Sequence, residues 1–107
     1  MAMQALRPAS KKYTLVGTGE TSKQIATSGG IIVRGAIVTG QNTAAALRVI
    51  DSRNGSGEAG SGPGNYLLAA NSGESVPHNI QHSMEQGLYI ELEQGANTPS
   101  EATIFYD

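Results

Sequence analysis

A single all-β domain, its antiparallel strands arranged as a sandwich or barrel, is what this chain of 107 residues predicts. Three features carry that expectation. Short apolar runs recur about every 8 to 12 residues, punctuated by Gly, Asn and Ser. Where a run is clear it alternates apolar with polar residues, and the three- and four-residue spacing of a helix is hard to find. Fourteen glycines, one phenylalanine and no tryptophan leave Ile, Val, Leu and Ala to build the interior. Side chains of that size bury enough surface only when stacked in regular layers.

Residues 1–11 precede the first strand pattern and are read as an N-terminal arm, with residues 12–107 as the domain. Residues 12–16 (KYTLV) and 23–26 (KQIA) are the first two strands. Residues 31–39 (IIVRGAIVT) form the longest run and are apolar on both faces. That pattern suits a central strand covered on both sides, or one that turns a corner at Gly35. After a GQNT turn, residues 45–51 (AALRVID) set Leu47 and Val49 on one face and Arg48 on the other, so the two runs are expected to pair as a hairpin. Residues 51–64 (DSRNGSGEAGSGPG) hold five glycines and almost nothing apolar. Burial cannot repay the entropy of ordering them, so they are read as a long loop, able to span about 20 Å as a Gly/Ser coil. Asn54-Gly55-Ser56 matches the glycosylation triplet but, with no secretory signal, reads as a turn.

Residues 65–70 (NYLLAA) and 75–80 (SVPHNI) are further strands, Pro77 pushing the second towards an edge or a bend. Residues 87–93 (GLYIELE) alternate strictly, with Leu88, Ile90 and Leu92 on one face and Tyr89, Glu91 and Glu93 on the other. Residues 102–106 (ATIFY) are its expected hairpin partner across residues 94–101. Burial of the three aliphatics contributes roughly 1.5 to 3 kcal/mol each, which makes Ile90 intolerant of a charge.

Seven basic residues are scattered among nine acidic ones, for a net charge of -2. Nucleic-acid binding by phosphate neutralisation is therefore not expected, since it concentrates Lys and Arg on one face. Charged residues make up only 15% of the chain, and a surface poor in charge discourages association less, in keeping with work inside an assembly. There is no cysteine, hence no disulfide and no thiolate metal site. No stretch resembles a signal peptide or approaches the roughly 20 apolar residues that span a bilayer, so a soluble protein made in a cytoplasm, without a membrane partner, is expected.

The stretch VGTGETSKQ, residues 16–24, has the glycines, hydroxyls and lysine of a phosphate-binding loop. Lys23, however, lies between Ser22 and Gln24, and a strand pattern follows where a helix N-terminus must receive the anion, so the stretch reads as a turn. His78 and His82, four apart, fall on one side of either a helix or a strand, with Glu74 and Glu85 near in sequence, but no metal-binding frame accompanies them. Glu91 and Glu93 point the same way, whereas glycoside hydrolysis needs opposed carboxyls. There is no GxSxG elbow. No enzyme, no metal and no cofactor are expected. Four tyrosines, Tyr13, Tyr66, Tyr89 and Tyr106, would suit a carbohydrate-binding module if clustered, but core or rim packing is their ordinary use. Asp51 and Asp107 are the only aspartates, too few for a calcium-dependent sugar site.

TLVGTGETSKQIATSGG, IIVRGAIVTG, ALRVIDSRNG and the closing GLYIELEQGANTPSEATIFY, in that order over residues 12–107, together resemble small all-β virion proteins of tailed bacteriophages. The resemblance is to capsid decoration (cement) or head-fibre proteins, in which a GLYI-turn-ATIFY hairpin ends the domain. It implies a β-sandwich or jelly roll, assembling often as a homotrimer on the capsid surface, with the major capsid protein lattice as its partner. The 51–64 loop is longer than the family pattern, and the N-terminal arm is an addition to it. These two segments lack any core-forming pattern and are the expected contact regions, with Met3, Leu6, Arg7, Arg53, Asn54 and Glu58 as the partner-binding residues. The alternatives are a sugar-binding module or a tail or fibre adsorption component.

Overall fold

The two-residue period of the apolar runs is realised as eight β-strands in a computed structural model that describes residues 10–55, 64–94 and 98–107. They are β1 (Lys11–Val16), β2 (Ser22–Ala26), β3 (Ile32–Thr39), β4 (Ala45–Ile50), β5 (Tyr66–Ala70), β6 (Ser75–Ser83), β7 (Leu88–Gln94) and β8 (Glu101–Tyr106). One antiparallel sheet has the order β1-β8-β3-β6 and the other β2-β7-β4-β5. Every connection except β4 to β5 crosses from one sheet to the other. An eight-stranded sandwich wound in this way is a jelly roll. Among the described residues no helix is long and apolar enough to cross a membrane.

The core lies between the sheets. Leu47, Val49, Leu88, Ile90 and Leu92 of the second sheet face Leu15, Val33, Val38, Ala102 and Ile104 of the first, all buried. The strict alternation of residues 87–93 is borne out in β7, where Tyr89 and Glu91 are half-buried and Glu93 is exposed. Arg48 stands opposite Leu47 and Val49 on β4, as the pattern requires.

β3 sits inside its sheet, between β8 and β6, but its outer face is open, with Ile37 39% exposed. The apolar run on both faces thus marks a bulge and not a strand covered twice. Pairing with both neighbours shifts between Val33 and Gly35, and inward positions pass from Val33 to Ala36 and Val38. An extra residue in a strand reverses the phase of every side chain after it, and this puts aliphatics at odd and even positions alike. A Cβ on Gly35 would fall 2.7 Å from the His78 carbonyl oxygen, so only glycine allows the two strands to close there. Pro77 lies on β6, an edge strand, where a missing N–H costs little.

Both expected hairpins are corrected by the sheet order. β3 pairs with β6 and β8, and β4 with β5 and β7, so the GQNT connection leads from one sheet to the other. β8 pairs with β1 and β3, and its expected partner β7 pairs with β2 and β4. A short connection spans the roughly 10 Å between stacked sheets as readily as the 4.8 Å between neighbouring strands, and the alternation that marks a buried face is the same in either case. The pair that does form a hairpin is β4 and β5, across the 51–64 loop.

Replacement of the fully buried Ile90 by Ala is expected to lower the unfolding free energy by about 3 kcal/mol in urea titrations, against less than about 1 kcal/mol for Ala at half-open Ile37. Ile90→Lys should give an unfolded chain by far-UV circular dichroism.

Candidate functional site

The two ends of the sandwich are held differently. At one end Ser100, fully buried, accepts the Gln41 N–H on its Oγ at 2.9 Å and the Gly17 N–H on its carbonyl at 2.8 Å, uniting three connections. VGTGETSKQ lies at this end and is a turn from β1 into β2, with Gly19 N–H donating to Val16 O at 2.9 Å. Its lysine is engaged: Lys23 Nζ lies 5.5 Å from the centroid of the Tyr13 ring, whose hydroxyl donates to Glu20. The bond to Glu20 raises the Tyr13 pKa.

At the other end the topology gathers residues 27–31, 84–87, the start of β1, the end of β8 and both feet of the 51–64 loop. Asp51 directly follows β4 and organises this end. Its carboxylate accepts the backbone N–H groups of Glu85 at 2.9 Å, Gln86 at 2.7 Å and Gly87 at 3.2 Å, fixing the β6–β7 turn. Its own N–H donates to Asn65 Oδ1 at 2.9 Å, which joins the two feet of the loop. The turn packs tightly enough that a Cβ on Gly87 would come 2.5 Å from Ala26 O and 2.7 Å from Ser52 O. Gln24 Nε2 donates to that Ser52 carbonyl at 2.7 Å and to Ala26 O at 2.8 Å.

A recess of about 280 Å³ opens here, lined by Asp51, Asn65, His82, Glu85 and Gln86. His82 stands edge-on to Tyr66, with ring centroids 6.0 Å apart. Both Asp51 oxygens accept backbone donors, so the carboxylate that lines the recess is held in place by the β6–β7 turn.

Beside it, Asp107 ties the start of β1 to β3. Ser10 N–H donates to Asp107 Oδ1 at 2.7 Å, Arg34 binds Oδ2 at 2.7 Å, and the Asp107 backbone exchanges two bonds with Ile32. These donors, the Ser10 N–H first and Arg34 next, hold the Asp107 pKa at about 2 against its ordinary 3.8.

Of the six partner-binding residues expected from the sequence, Arg53 and Asn54 lie at this end, on the first foot of the loop. Arg53 is exposed, its Nη2 3.4 Å from Gln86 Oε1, and Asn54 is anchored to buried Ser52, whose Oγ accepts its N–H at 3.2 Å. Met3, Leu6, Arg7 and Glu58 lie outside the described residues, as do most of the arm and residues 56–63 of the loop. The chain nevertheless enters the described part at Ser10, on the same end as the loop's feet. Asp51 and Asp107, noticed in the sequence only for their scarcity, are the residues that build this end. The available signal was an aspartate directly after a strand run, where a carboxylate readily captures turn N–H groups.

The remaining candidates are dispersed. His78 Nε2 donates to Ala69 O at 3.0 Å, apart from His82, and among the described residues no group of three His, Asp or Glu side chains is placed to hold a metal ion. Glu93 pairs with Arg48 at 2.8 Å and Glu91 accepts the Tyr89 hydroxyl at 3.3 Å, both on the outer face of β7. Tyr13, Tyr66 and Tyr106 pack against the margin of the core, and Tyr89 lies on that outer face, so the four do not share one platform. No known protein family, curated protein or solved structure matches this chain.

Asp51→Ala strips three backbone donors of their charged acceptor and is expected to cost about 2 to 3 kcal/mol, with amide exchange accelerated most at Glu85, Gln86 and Gly87. Asp107 carries a depressed pKa, so its stabilisation is complete above the unfolded value of 3.8 and is lost as pH falls towards about 2. Asp107→Asn should therefore lower the melting temperature at neutral pH, and its difference from the parent should close as the pH is brought down through that interval.

Proposed function

We propose that the protein is a structural virion protein of a tailed phage, a capsid decoration protein that binds the head lattice through non-covalent contacts, without catalysis. The contact end is the one built by Asp51 and Asp107. The observation that carries this reading is topological: the jelly roll brings the exit of the N-terminal arm and the base of the Gly/Ser loop, two segments without core-forming pattern, to one end of the sandwich. The resemblance to phage decoration proteins supplies the partner. A ligand that binds only the assembled lattice stabilises it by mass action, by about 2.7 kcal/mol per site at a hundred times its dissociation constant, and repetition over a lattice multiplies modest contacts.

Incubated with phage heads assembled without it, the full chain is expected to cosediment saturably. Removal of residues 1–10, or the double change Arg53→Glu with Asn54→Ala, should weaken this by about tenfold or more, the loss of one or two interfacial anchors. No cosedimentation by the intact chain sinks the reading, and undiminished binding by both variants removes this end from it. Saturable binding of the isolated protein on a glycan array would instead favour a sugar-binding module.

A further inference from the structure

The four sheet edges are not alike. An edge strand offers unpaired N–H and C=O groups to any strand that reaches it, and proteins blunt such edges with charge or proline. β1 carries Lys11 and Lys12, β2 carries Lys23, and β6 carries Pro77. β5, at the edge of the second sheet, reads YLLAA and carries neither. Its Leu67, 53% exposed, is the most open large apolar side chain among the described residues.

The Ala69 carbonyl lies on the open side of β5, where His78 Nε2 reaches it from the other sheet at 3.0 Å. The alternation of an antiparallel strand puts the N–H and C=O of Leu67 on that side also. A carbonyl oxygen accepts two hydrogen bonds, so the histidine leaves room for an incoming strand. On the same sheet face, two residues along from Leu67, is a shallow hollow of about 420 Å³, floored by Ala45, Ala46, Ala69 and Ala70 and bounded by Glu93 and Gln94.

We propose that β5 is the seam of a two-fold dimer, in which a second copy of this chain adds its β5 antiparallel to the first about an axis through Leu68. That register sets Leu67 of each copy opposite Ala69 of the other, so each leucine covers the other copy's alanine hollow while the outward backbone groups of both residues exchange hydrogen bonds. The two sheets become one of eight strands, and no charged side chain on β5 is desolvated. Self-fit names the occupant: a two-fold interface requires a patch complementary to itself, and a knob set two residues from a hollow on one edge meets that demand. The symmetry is two-fold where the resemblance to phage proteins implies three-fold, and the proposal stands whether or not the protein binds capsids.

Light scattering on the full chain should give twice the mass of one chain. Leu67→Lys, and Ala69→Pro, which removes an N–H that faces away from β4, are each expected to raise the dissociation constant about a hundredfold while circular dichroism stays that of the parent. The register is read separately. The chain has no cysteine, and directly opposed residues of this kind have Cα atoms about 5.5 Å apart, within reach of a disulfide. Leu67→Cys and Ala69→Cys proteins, mixed and mildly oxidised, should cross-link to each other, and neither should do so alone. A parent mass of one or three chains, or a mixture that cross-links no better than its components, overturns the proposal, even where a β5 variant fails to fold.

Discussion

The closure of two apolar sheet faces on each other is the constraint from which the rest of this molecule follows. The chain has no cysteine, and the described ion pairs, Arg34 with Asp107 and Arg48 with Glu93, each lie within one sheet and do not join the two. Leu47, Val49, Leu88, Ile90 and Leu92 must therefore find Leu15, Val33, Val38, Ala102 and Ile104 across the gap. Side chains of this size suit the roughly 10 Å between stacked sheets, and the two described recesses lie at the margins of the sandwich.

Winding the chain alternately through the two sheets turns the ends of the sandwich into meeting places for connections remote in sequence. Each end solves the same problem, the satisfaction of backbone groups that leave the ladders, with one residue: buried Ser100 at one, Asp51 at the other. The Asp51 carboxylate accepts three backbone donors where Ser100 accepts two, and it does so beside the loop's feet. Asp107 fastens the first strand close by. The two segments without core-forming pattern thus leave the described fold at one end.

Edges complete the description. Three of the four carry lysine or proline and one does not, and the bare one places a leucine beside an alanine hollow. In a pair joined antiparallel at β5 the two Asp51 ends point in opposite directions along the strands. Such a pair would present two copies of the candidate end at once, and linked contacts bind more tightly than single ones.

The strands, their facing and the edge character of β6 were legible in the sequence because period-two alternation and Pro77 act locally: each records whether a side chain meets the core, and both are set by the residue itself. GLYIELE could be assigned residue by residue for that reason, and VGTGETSKQ could be dismissed as a nucleotide loop because no helix follows it. Which sheet a strand joins is not a local property. Residues 102–106 are buried in the same way beside β7 or beside β1 and β3, so the expected hairpins had equal local support and were decided only when all eight strands shared one core. The roles of Asp51 and Asp107 belong to the same class, since the donors they capture lie 34 to 36 residues away for Asp51 and 97 and 73 away for Asp107. Alternation by itself determined that the chain is all-β, with one buried face to each strand; the division of those strands into two stacked sheets, and with it the assembly of the candidate end, rested on long-range burial that no short stretch of sequence encodes.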